Sequence, residues 1–283
     1  MVGTTSTAKA RALGAELRAA REQAGLSLRA LGEKLGKSFT TLSKWENGRL
    51  TPRPEEVASY LTALGVRGER LDELVEMARD ADAPVWVSWR MPDLQQQVSA
   101  LLEFERTATR IVDVSPLLIP GLLQTSGYTR AVMTAGGVPR SEIETRVAIR
   151  MGRRDVLTRT DDPVSLLALV GETALRTLVG GPRVMLDQLR HLLKMAELPN
   201  VDLRVVPAAL DWNPVLEGAF HLIEFAEADP IVHLEVRGSA LYFHELQDVQ
   251  GYQEATVSLL ELAMSPEESA EFIAQEAKRM EAE

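Results

Sequence analysis

The sequence predicts a two-domain protein: an all-α N-terminal domain followed by an α+β domain with a roughly five-stranded mixed sheet. Three observations carry this. The first 80 or so residues hold closely spaced apolar stripes at helical period, separated by glycines and prolines. After Pro163 continuous and alternating apolar runs of strand length appear, starting with Val164 to Val170. The chain of 283 residues is also long enough for two cores of ordinary size. We place the boundary between residues 1–82 and 83–283.

The first helix is expected over 11–25, where Leu13 and Leu17 share a face and Gly25 stops the run. Ser27 then caps a second helix, with Leu28, Leu31 and Leu35 as its stripe and Gly36 at the turn, where positive φ is needed. A third helix follows a Ser38 cap. In SFTTLSKWEN, Leu42 and Trp45 lie three apart and point inward, so Phe39, Thr40, Ser43 and Lys44 are left largely outward. Gly48 ends it. Pro54 opens a fourth helix at a position where its missing N–H is harmless, and a fifth runs from Glu69 to Ala81. Two short helices about a glycine turn, the second carrying hydroxyls and a cation outward, fit helix-turn-helix geometry.

Charge supports a nucleic-acid partner for this half. The whole chain has a net charge of −10, yet Lys9 to Arg53 holds ten Lys/Arg against four Asp/Glu. A cationic segment on an acidic chain is what one phosphate-contacting domain would produce. Other classes are excluded or disfavoured. Without cysteine there is no disulfide framework, thiolate zinc site or cysteine nucleophile. No apolar run approaches the roughly 18–20 residues of a membrane span, and Met1 to Ala10 lacks the apolar core of a secretion signal. We therefore expect a cytoplasmic protein with no membrane partner.

Residues 11–65, above all LRALGEKLG and SKWENGRLTPRPE, resemble the XRE-type (lambda-repressor-like) DNA-binding domain. The resemblance implies base contacts from Phe39, Thr40 and Lys44, and phosphate contacts from Ser27, Arg29, Ser38, Ser43 and Arg49. Where a glutamine is frequent at the start of the second helix, this chain offers Ser27 and Arg29. Phe39 either touches a thymine methyl or packs on its own domain. Glu46 is expected to brace helix ends through Arg18 or Arg21 rather than to read DNA. Double-stranded operator DNA is the implied partner, bound by a homodimer, since one short helix covers too few base pairs to single out a site.

The segment 81–92, with two prolines and Trp86 and Trp89, reads as the domain junction. A helix near Asp93 to Ile111 follows, then the irregular SPLLIPGLLQT at 115–125, and helices near 126–135 and 140–158. A strand at 164–170, helices at 172–179 and 183–197, and a strand at 201–207 make a βαβ unit with parallel strands. Short strands at 218–225, 231–236 and 241–245 suggest an antiparallel meander before two last helices, 246–263 and 266–281. LIPGLLQTSGYTRAVM, RVAIRMGRRDVLTR, ETALRTLVGG and GAFHLIEF resemble the C-terminal domain of actinobacterial, antitoxin-like XRE-type regulators. That resemblance implies a small partner protein encoded nearby, and no established chemistry.

Candidate ligand or partner residues in this half are Leu118, Ile119, Leu122 and Leu123, from the irregular apolar stretch, and Arg146, Arg150, Arg153 and Arg154, which recur at helical spacing. The arginines could face an anion, an acidic partner surface or water. His221, His233 and His244 lie on successive expected strands near Glu224, Glu235 and Glu245. The alternation places them on the polar face of a half-buried sheet rather than in a metal site. Glu172 and Arg176 form an ion pair one turn apart. Gly136-Gly137 and Gly180-Gly181 lack the spacing and lysine of a phosphate loop. No catalytic residue, metal or cofactor is expected. The reading is a sequence-specific transcriptional regulator whose second domain senses a small molecule or binds a small protein. The alternative is an enzyme or metal-binding domain fused to a DNA-targeting helix-turn-helix.

Overall fold

The computed structural model describes residues 7–79, 81, 85–89, 94–236 and 239–282. It divides into two compact units, Met1–Phe104 with Glu227–Val249, and Glu105–Ala226 with Gln250–Glu283.

The first unit opens with five helices: α1 (Ala8–Gln23), α2 (Leu28–Leu35), α3 (Phe39–Glu46), α4 (Pro54–Ala63) and α5 (Glu69–Arg79). Their ends follow local chemistry. The Ser27 hydroxyl accepts from Ala30 N at 3.2 Å, and the Ser38 hydroxyl accepts from Thr41 N at 3.0 Å. Gly36 closes α2 in the left-handed region at φ 61°. The core is Leu13 and Leu17 of α1, Leu31 of α2, Leu42 and Trp45 of α3, Val57, Tyr60 and Leu61 of α4, and Leu74 of α5, all buried. Helix α1 packs so closely on the end of α3 that a Cβ on Gly14 would lie 2.5 Å from Trp45 O. The Thr7 hydroxyl, which caps α1, also donates to Ala81 O and ties the two ends of the helical segment together.

The same unit holds strands β1 (Val85–Trp89), β6 (Ile231–Val236) and β7 (Ser239–Phe243). β1 pairs antiparallel with β7, Val85 opposite Phe243, and β7 pairs antiparallel with β6, His233 opposite Tyr242. This corrects two expectations. Residues 85–89 are a strand rather than a linker, because the extended VWVSW segment finds a free edge on β7; the side chains of Trp86 and Trp89 lie outside the described residues. His233 is buried, stacked on the Tyr242 ring at 4.8 Å between centroids, instead of sitting on a polar face.

In the second unit, β5 (Phe220–Glu224), β2 (Arg110–Ser115), β3 (Ser165–Gly171) and β4 (Val201–Val206) lie in that order. β2–β3 and β3–β4 are parallel and β5–β2 is antiparallel. The expected βαβ unit is β3, α10 (Glu172–Arg176), α11 (Pro182–Met195), β4. A second parallel crossover joins β2 to β3 through α7 (Ser126–Ala135), α8 (Arg140–Arg153) and α9 (Asp155–Thr158). Here the sequence reading missed a strand. The helix expected to reach Ile111 is α6 (Leu94–Thr107) and stops at Thr107. β-branched Ile111, Val112 and Val114 suit an extended chain, and Thr109 N is held by Glu224 O at 2.9 Å. The two last helices are α12 (Leu246–Leu262) and α13 (Pro266–Ala282); α13 packs on α11 and β4.

Candidate nucleic-acid interface

Helix α3 has two distinct sides. Leu42 and Trp45 are 0% and 2% exposed, whereas Phe39 is 57% exposed. Thr40 and Lys44, one turn apart, are exposed as well, and among the described residues neither side chain has a hydrogen bond or ion pair within the protein. More than half of the Phe39 surface is exposed, which leaves part of its ring open for an apolar contact. These three side chains therefore share an accessible surface whose donors and methyl groups are unspent.

The surface around them is partly committed. Ser27 and Ser38 use their hydroxyls as caps. Ser43 is half-buried and accepts from Asn47 Nδ2 through its carbonyl at 2.9 Å and its hydroxyl at 3.4 Å. Arg29 is exposed. Arg49, just past the end of α3, is exposed but ion-paired with Glu227, itself exposed. No pattern in the sequence announced that pairing, because the two residues are 178 positions apart.

What fixes α3 is Glu46, at its buried end. Its carboxylate accepts from Arg21 Nε at 2.7 Å and Nη2 at 2.8 Å, and from the Tyr60 hydroxyl, while Arg18 Nη2 donates to its carbonyl at 2.9 Å. Both expected arginines thus take part. Tyr60 adds α4 to the same node, and its phenol is pushed well above the ordinary range by burial and by the Glu46 carboxylate. One carboxylate links α1, α3 and α4 at the base of the exposed side of α3. Around the turn, Lys37 pairs with Glu56 at 2.7 Å and lies 5.4 Å from the Trp45 ring centre.

The candidate residues of the second unit fall differently. Ile119, Leu122 and Leu123 are core, no more than 2% exposed, while Leu118 is exposed beside Leu117. Burial follows from the turn of 3₁₀ helix at Gly121–Leu123, which folds the apolar stretch back onto the unit. The four arginines do not form one cationic face. Arg146 pairs with Glu142 at 2.6 Å. Arg153 is buried in a two-pronged pair with Glu105, at 2.9 and 2.7 Å. Arg150 Nη1 donates to Gln124 Oε1 at 3.3 Å and Arg154 Nη2 to Gln124 O at 2.5 Å. Glu172 pairs with Arg176 as expected and also accepts from Ala208 N at 2.9 Å. Among the described residues, no group of three or more His, Asp or Glu side chains could hold a metal ion, and no helix is long and apolar enough to cross a membrane.

Residues 12–74 match a helix-turn-helix domain, and residues 98–275 match a domain of unknown function (DUF5753). No curated protein and no solved structure matches the chain. The first match falls on α1–α5, which makes this a helix-turn-helix protein of the DNA-binding regulator class. The second covers more than half of the 283 residues, and the chain belongs to the DUF5753 family.

Proposed function

We propose that the protein is a sequence-specific transcriptional regulator of XRE type that reads the major groove with Phe39, Thr40 and Lys44. The observation that carries this is the two-sided α3: an apolar side locked into the core, and an opposite side on which, among the described residues, the side chains of Thr40 and Lys44 have no hydrogen-bond or ion-pair partner. Thr40 offers a hydroxyl and a methyl, Lys44 a donor for guanine O6 or N7, and Phe39 an apolar ring for a thymine methyl. Arg29 and Arg49 supply phosphate contacts, with Ser27, Ser38 and Ser43 at the same rim. The protein acts in the cytoplasm as a homodimer on paired half-sites, as one eight-residue helix demands. Its second half is a binder rather than a catalyst, and it takes a small molecule or a small antitoxin-system-like partner protein.

Competitive binding to operator and scrambled duplexes tests the reading. Thr40→Ala and Lys44→Ala each lose about 1–3 kcal/mol of operator preference, roughly tenfold to a hundredfold, with circular dichroism unchanged. Full operator preference in both variants would place base reading elsewhere. Sedimentation of the complex as one chain per operator would remove the dimer.

A further inference from the structure

β1 closes the sheet of the first unit on one side. Among the described residues its one strand partner is β7, and the pairing runs without a bulge from Val85 opposite Phe243 to Trp89 opposite Ser239. Alternate residues of an antiparallel strand turn their N–H and C=O groups to opposite sides, so β1 turns a row of these groups away from β7. Such edges are ordinarily blunted by charge, proline or a bulge, because a bare edge is a template for another strand. VWVSW has neither charge nor proline. β4, the last strand of the second unit, is closed by local chain instead. The Val205 N–H donates to Ser269 Oγ and the Val205 C=O accepts from Met264 N, both at 2.9 Å, and the Val201 N–H donates to Leu198 O at 3.0 Å. Among the described residues no backbone bond of that kind reaches β1.

Polarity, charge and position select the occupant. β6, β7 and β1 alternate in direction. A second copy related by a twofold axis through Val87 brings its own β1 alongside antiparallel and continues that alternation. Val87 then faces Val87 of the partner subunit, and Trp86 faces Ser88 of the partner subunit. Self-pairing repeats each residue across the axis, so a charge at its centre would meet its own sign, which is destabilising; VWVSW brings none. β1 also belongs to the same compact unit as α1–α5. Pairing at this edge therefore joins two helix-turn-helix domains directly, as paired half-sites require.

We propose that β1 is a dimer contact of this protein, pairing antiparallel with β1 of a second copy through about four to six backbone hydrogen bonds. This deepens the proposed homodimer and rests on it.

The chain has no cysteine, so introduced thiols report the register in the full-length protein. Across the axis the two Val87 Cα atoms would lie about 4.5–5.5 Å apart, inside the roughly 4.4–6.8 Å that a disulfide spans. Oxidised glutathione, which takes up the two electrons and two protons, should link Val87→Cys into a covalent dimer. Val85→Cys alone should stay unlinked, because its two copies sit about four residues, or roughly 14 Å, apart along the strands. Val85→Cys combined with Trp89→Cys should link. Val87→Lys sets two ammonium groups face to face and should raise the dimer dissociation constant about tenfold or more in sedimentation, with circular dichroism unchanged; if that variant fails to fold, the thiol series decides alone. Linking of Val85→Cys as readily as Val87→Cys means random collision and overturns the pairing. A wild-type dimer whose Val87→Cys variant does not link overturns the β1 contact and leaves the homodimer standing. A wild-type monomer, both free and on its operator, overturns both.

Discussion

Glu46→Ala is the substitution that most directly probes how α3 is held. The carboxylate is 3% exposed and receives two hydrogen bonds from Arg21 and one from Tyr60. Removing it leaves the Arg21 guanidinium, itself only 11% exposed, without its buried counter-charge. Breaking a buried pair by deleting one member costs about 3–5 kcal/mol, a large part of the roughly 5–15 kcal/mol that holds a domain together. In a domain of this size each kcal/mol moves the midpoint by about 4–8 °C, so the transition of the helical segment should fall by about 12 °C or more. Tyr60→Phe removes a single hydrogen bond to a charged group and should cost about 1.5–3 kcal/mol. The two should not add, because they share one node. The assay is thermal and urea unfolding followed by circular dichroism, with operator binding measured below the lowest midpoint. A Glu46→Ala midpoint within about 2 °C of the parent, the scale of an ordinary surface change, would refute the claim that this carboxylate anchors α3.

Other outcomes follow from particular contacts. Glu227→Gln frees Arg49 for phosphate; since exposed pairs are worth about 0–1 kcal/mol, affinity for operator and scrambled DNA should rise together, by no more than about fivefold, as read in salt-dependent binding. Gly14→Ala places a Cβ 2.5 Å from Trp45 O and 2.8 Å from Glu46 O; with backbone on both sides the overpacking should cost about 1–3 kcal/mol in urea unfolding. Burial, with the charges of Arg154 and Lys194, lowers the His191 pKa from its ordinary 6.5 to about 4 in the folded protein, so between those values His191 binds fewer protons than in the unfolded chain. Its contribution is therefore complete above pH 6.5 and lost as pH falls through about 4, and His191→Gln should flatten that part of a melting-temperature profile.

The parts legible in the sequence were those decided by near neighbours. Ser27, Ser38, Gly36 and Pro54 set helix ends through bonds reaching only a few residues, and Leu42 with Trp45 fixed the outward face of α3 by period alone. The parallel β3–β4 pair was legible for the same reason, since Val164 to Val170 is a continuous apolar run and Val201, Leu203 and Val205 alternate with polar residues at strand period. What escaped depends on distant partners. β2 carries Asp113 in its middle, and only its place between β3 and β5 makes RIVDVS a strand. Arg153 looked like a member of a cationic stripe until Glu105, 48 residues earlier, supplied its counter-charge.

Residues 227–249 fall within the stretch matched by the unknown-function family, yet they are compact with the helix-turn-helix. A chimaera that grafts a foreign reading head onto this family at the sequence boundary would therefore inherit β6, β7 and Glu227 without the surface they were shaped against. A chimaera joined near residue 82 should consequently melt lower than either parent, and restoring the native residues 7–79 to it should recover the difference.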